Sequence, residues 1–128
     1  MVVSISDQGY QLIDNINLLL DSTHRLDDNF RAKLEKVAFK MNEFVTNYHS
    51  HLTLSVTEFA SYLNHDALSP LTVVLGYAEL FRSIHAHMLT SDEINLLNTI
   101  CERLRLLTES LRDERNLMVA KRNELTNI

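Results

Sequence analysis

From Phe30 the apolar residues fall at Phe30, Leu34, Val37, Met41, Phe44 and Tyr48, in alternating steps of four and three. That is the spacing of a coiled-coil seam. The stripe continues less strictly through Leu52, Val56, Phe59, Leu63, Ala67, Leu71, Val74, Ala78, Phe81 and His85 or Met88. It predicts one helix, with room for a kink, of about 60 residues and about 90 Å at 1.5 Å per residue. A compact monomer has no need of so long a rod, so another chain or another helix must cover its seam.

Further elements follow on either side. Thr90-Ser91-Asp92-Glu93 fits the S/T-x-x-E capping box and predicts a helix start after a turn at 89–93. A second stripe then runs through Ile94, Leu97, Cys101, Leu104, Leu107 or Thr108, Leu111 and Met118, and would return antiparallel to the first. Upstream, Leu12, Ile13, Ile16, Leu19 and Leu20 mark a shorter amphipathic helix, with a break and cap at Asp21-Ser22-Thr23 before the long one. A hairpin over 55–120 leaves apolar surface that two helices cannot hide, and two copies forming a four-helix bundle would hide it. The expected fold is all-α: a long helical hairpin with an N-terminal coiled-coil extension, making a four-helix bundle as a homodimer. The expected organisation is a helical segment over 1–50, the hairpin over 51–122 and a tail over 123–128.

Composition sharpens this. Glycine and proline together number three in 128 residues, where ordinary usage gives roughly fifteen, so turns are scarce and long helices are expected. The net charge of −5 argues against nucleic acid, whose phosphates need clustered Lys and Arg. Arg103, Arg105, Arg112, Arg115, Lys121 and Arg122 are interleaved with Glu102, Glu109, Asp113, Glu114 and Glu124, which reads as a solvated helix face. The single cysteine, Cys101, lies in the apolar stripe and reads as a small core residue in a reducing compartment. Met1-Val2-Val3 has neither the basic start nor the long apolar core of a signal peptide, and no run approaches the roughly 18 apolar residues of a membrane span. A cytoplasmic protein without membrane contact is expected. His49-x-His51 and His85-x-His87 are two apart, which puts each pair on different helix faces, so no metal site is expected.

The chemistry concentrates in "NHDALSP", residues 64–70, which holds the only proline. His65 is two residues from both Leu63 and Ala67 of the core stripe, about 200° around the helix from each, and so points outward. Ser69 lies four residues on, and Asp66 about 100° to one side. Pro70 cannot donate a hydrogen bond to the Asp66 carbonyl and crowds it, which predicts a kink beneath His65. An outward imidazole with a free Nε2 can attack phosphorus. A neighbouring carboxylate can hold the Nδ1 proton and stabilise the positive charge that develops.

The stretch "FASYLNHDALSPLTVVLGYAELF", residues 59–81, resembles the phosphoacceptor motif of sensor histidine kinases, usually written H-[ED]-L-R-T-P-L-T followed by an I-x-G-Y-x-E-L-type segment. The matching residues are His65, Asp66, Pro70, Leu71, Thr72, Gly76, Tyr77, Glu79 and Leu80. The resemblance implies a homodimeric dimerisation and histidine-phosphotransfer domain in which His65 accepts phosphate, Asp66 accepts its proton and Ser69 helps place water for dephosphorylation. Pro70 and Gly76 would be structural at the site. Leu68, Thr72 and Val73 would dock a response-regulator receiver domain, whose own aspartate and Mg²⁺ supply the other half of the chemistry. No cofactor is expected on this chain, and a separate histidine kinase is a second implied partner.

The chain departs from that pattern between Asp66 and Pro70: Ala67 and Leu68 replace leucine and arginine, and Ser69 replaces threonine or asparagine. Gly9 and Gly76 are the only glycines, so these 128 residues hold no D-x-G-x-G nucleotide loop. The expected function is phosphate exchange in two-component signalling without use of ATP by the chain itself, whether as part of a larger kinase or as a stand-alone bundle. A non-catalytic, kinase-derived adaptor that docks to or inhibits a kinase or regulator is the alternative.

Overall fold

A computed structural model describes residues 4–126, and within them every regular element is helical. The helices are α1 (Ile5–Ser22), α2 (Asp28–His51), α3 (Val56–His65), α4 (Leu68–Ser83) and α5 (Ser91–Thr126), with a 3-10 turn at Ala86–Met88. The tail expected over 123–128 is the end of α5 as far as Thr126; residues 127 and 128, like Met1–Val3, lie outside the described residues.

Short polar side chains set the starts. The hydroxyl of Ser4 accepts from the Asp7 amide at 3.1 Å, the Asp27 carboxylate from Phe30 at 2.8 Å, and the Ser55 hydroxyl from Glu58 at 3.2 Å. Each satisfies one amide that a helix start leaves without an internal partner. The capping box read at Thr90 forms as expected: the Glu93 amide donates to Thr90 Oγ1 at 3.2 Å, and the Thr90 amide donates to Glu93 Oε1 at 2.9 Å. Thr23 acts differently from expectation. Its buried hydroxyl donates back to the Leu19 carbonyl at 2.8 Å and closes α1, while Asp27 caps α2.

The continuous helix expected over 30–88 is three helices. The first interruption, at 52–55, reverses the chain. Leu52 and Leu54 are 45% and 39% exposed, so the stripe that seemed to run through Leu52 leaves the core there, and Ser55 starts a new helix. The ring pairs Tyr48–Phe59 and Phe30–Phe81, with the Lys36 ammonium over Tyr77, show α3 and α4 running antiparallel to α2. Helix α5 returns along α3 and α4, and α1 packs between α2 and α5. The bundle therefore has four rods, one of them made of α3 and α4 end to end.

All four rods come from one chain. The seam residues Phe30, Leu34, Val37, Met41, Phe44 and Tyr48 are buried, under the chain's own helices. Residues 5–51 are thus half of the bundle instead of an extension from it, and the apolar face of the 55–120 hairpin is covered by α1 and α2. Leu63, Ala67, Leu71, Val74, Ala78 and Phe81 are buried as the stripe predicted, and so is Cys101, whose thiol is raised in pKa by that burial. No helix among the described residues is long and apolar enough to cross a membrane.

The two glycines behave differently. A Cβ on Gly9 would lie 2.6 Å from Val45 Cγ2, so a side chain there would have to displace the Val45 side chain that packs α2 against α1. A Cβ on Gly76 would meet nothing within 4 Å. Gly76, expected to be structural at the site, is exposed on α4 and makes no close approach to another described helix.

Candidate functional site

The second interruption lies at the motif. Helix α3 ends at His65, and Asp66 leaves helical geometry with φ −121° and ψ −31°. The Tyr62 carbonyl accepts two amides, Asp66 at 2.9 Å and Ala67 at 3.0 Å. Sharing one acceptor in this way breaks the regular ladder and starts α4 afresh. The Ser69 amide donates to the Asp66 carbonyl at 3.3 Å, the oxygen that Pro70 cannot serve. Pro70 stands third in α4, within the first turn, where its missing N–H leaves no bond unmade. The proline thus belongs to a helix start and not to a kink inside a continuous helix.

Ala67 is buried beneath this turn, and Leu68 and Pro70 are half-buried beside it. His65, Asp66 and Ser69 are exposed. Neither the His65 ring nor the Asp66 carboxylate hydrogen-bonds another described residue, so the tie expected between the carboxylate and Nδ1 is not made and both groups face solvent. Because the ladder is interrupted, Ser69 no longer follows His65 in one helical register. It sits on α4 with Thr72, Val73 and Gly76, all exposed. The Thr72 hydroxyl donates to the Leu68 carbonyl at 3.0 Å, which leaves its methyl and the Val73 side chain as the apolar part of this surface.

Two residues that sequence reading did not place here are Tyr62 and His51. The buried Tyr62 ring stacks on the His51 imidazole with centroids 3.9 Å apart and planes 12° from parallel. Burial, and secondarily the charge of Asp66, pushes the Tyr62 phenol up to about 12. Asp66 is thus felt by the ring one turn below it. Aromatic contacts continue from Tyr62 through Phe59 and Tyr48 to Phe44, joining the site to the core. Only the apolar periodicity of Phe44, Tyr48 and Phe59 hinted at this ladder.

No family model, curated protein or solved structure matches the chain. The residues and their geometry carry the functional reading.

Among the described residues there is also an open groove of about 350 Å³ between α1 and α5, lined by Gln8, Gln11, Arg103, Leu106, Glu109, Ser110 and Asp113. Charges of both signs line it, and the Arg103 guanidinium already donates to Asn15 Oδ1 across it. It lies on the side of the bundle where α1 meets α5, whereas His65 lies on the rod formed by α3 and α4.

Proposed function

We propose that this chain is a phosphoacceptor module of two-component signal transduction, exchanging phosphate between His65 and a response-regulator receiver domain. The observation that carries the reading is the exposed, unbonded imidazole of His65 beside the exposed carboxylate of Asp66, at a helix junction organised by Pro70. In the forward step the lone pair of Nε2 attacks the phosphorus of an aspartyl phosphate on the receiver. The N–P bond forms as the P–O bond to the receiver aspartate breaks, and the imidazolium then loses its Nδ1 proton to water or to Asp66. Reversal returns phosphate to the receiver. Mg²⁺ belongs to the receiver, and a separate histidine kinase is the other source of phosphate, since these residues hold no glycine-rich loop for ATP.

Leu68, Thr72 and Val73 form the docking surface in this reading, with Ser69 at its edge to orient water. The exposed Gly76 extends it along α4. The homodimer implied by the resemblance is retained as the proposed assembly. Its contact is not the Phe30–Tyr48 seam, which is filled, but the exposed end of α5, where Leu117 and Leu125 are 56% and 55% exposed. A cytoplasmic site of action follows from the need for such partners.

The test is to incubate the protein with a phosphorylated receiver, or with a kinase and ATP, and to search for acid-labile phosphate on His65, using His65→Gln as control. Label on the wild type alone supports the reading. Absence of label, with receiver binding equal in wild type and His65→Gln, would replace it with the non-catalytic adaptor.

A further inference from the structure

An exposed turn with no side-chain hydrogen bonds at His65 or Asp66 needs another means of keeping one geometry. The backbone gives part of the answer, because the amides of Asp66 and Ala67 both converge on the carbonyl of Tyr62. Where Tyr62 sits therefore decides where the turn sits. Its side chain is held on one face by the His51 ring at 3.9 Å, and it neighbours Phe59 along α3.

His51 is itself anchored. It is the last residue of α2, and its Nδ1–H donates to the Asn47 carbonyl at 2.5 Å, one turn back on that helix. A carbonyl can only accept, so this contact places a proton on Nδ1. The ring is thereby fixed on α2 and laid flat against a residue of α3, across the 52–55 reversal. The other ring contacts from the end of α2, Tyr48 to Phe59 and Phe59 to Tyr62, reach Tyr62 only through Phe59, so His51 is the α2 residue stacked directly on it.

We infer that His51 is a positioning residue for the His65–Asp66 turn, acting through its stack on Tyr62. It touches neither phosphate nor receiver. This rests on the phosphoacceptor reading for its functional meaning, while its structural content stands independently. The requirement is a flat ring over Tyr62, so phenylalanine at 51 preserves the effect and alanine removes it.

The experiment compares wild type, His51→Ala and His51→Phe by amide hydrogen exchange and by labelling with phosphoramidate, which transfers its phosphoryl group to Nε2 of His65 as the P–N bond breaks and ammonia leaves. An aromatic pair of ordinary strength corresponds to exchange at the Asp66 and Ala67 amides about threefold to tenfold faster in His51→Ala. Amides in the middle of α5 serve as the internal reference and keep their wild-type rates. His51→Phe returns both amides to the wild-type rate although it cannot bond Asn47, and the rate of His65 labelling follows the same order. Unchanged Asp66 and Ala67 exchange in His51→Ala would overturn the inference, as would failure of His51→Phe to restore it. If wild-type His65 takes no label while the exchange pattern appears as described, the positioning role stands and the phosphoacceptor reading falls.

Discussion

Replacing Glu93 by glutamine tests the charged contact that ties the α1–α2 loop to the start of α5. Glu93 is 5% exposed. Both of its oxygens accept from the Arg25 guanidinium, one at 2.8 Å, and Oε1 also accepts from the Thr90 amide. Arg25 donates as well to the Ser22 carbonyl at 2.8 Å and to the Met88 carbonyl at 3.3 Å, so the pair ties the α1–α2 loop to the turn before α5. Chiefly through the hydrogen bonds from Arg25, against a smaller cost of burial, the Glu93 carboxyl is lowered from 4.5 to about 2. Each tenfold in proton affinity is worth about 1.4 kcal/mol, or about 3 kcal/mol for the whole difference. The Arg25 side chain is 46% exposed, and solvent screening trims this to about 2 kcal/mol.

Since the folded-state value lies below the unfolded one, this stability is fully present above pH 4.5 and is lost as pH falls toward about 2. Glutamine keeps the oxygen that accepts from Thr90 and removes the charge. Urea titrations followed by helical circular dichroism should therefore place Glu93→Gln about 2 kcal/mol below wild type at pH 7, with the two curves converging near pH 2. A difference under about 0.5 kcal/mol at pH 7, or one of the same size at both pH values, would refute the assignment.

Gly9→Ala should destabilise by about 1–2 kcal/mol in the same assay, because the clash with Val45 outweighs the helix propensity gained, and Val45→Ala should recover most of the loss. Gly76→Ala should instead stabilise by about 0.5–1 kcal/mol, since its Cβ enters open space in a helix interior. Ser55→Ala should cost about 1 kcal/mol and raise amide exchange in the first turn of α3 above that in α4.

How far the pattern of residues foretold the structure differs from place to place. The stripe from Leu63 to Phe81 and the one from Leu97 to Leu111 were readable because a buried helix face repeats locally, and the Thr90 to Glu93 cap because its reciprocal bonds span only three residues. The break at 52–55 was readable too: Ser55-Val56-Thr57-Glu58 has capping-box spacing, but Leu52 and Val56 kept the apolar rhythm across the gap and masked it. Periodicity states that the Phe30–Tyr48 seam needs a cover and cannot state whether that cover is a second copy or α1 and α4 of the same chain. At the candidate site, the exposure of His65 and Asp66 was readable from their offset to Leu63 and Ala67. The junction was not, because it depends on which carbonyl receives the Ala67 amide. The His51–Tyr62 stack depends on a chain reversal that no local pattern encodes.

Helix α5 runs 36 residues without interruption, a rod of about 54 Å, and it packs along both α3 and α4. The rod it packs against is jointed at Asp66 and Ala67, where one carbonyl serves two amides. Two beams of unequal stiffness fixed side by side do not share a load evenly. The joint, and not α5, is where this side of the bundle bends most easily, and it adjoins His65.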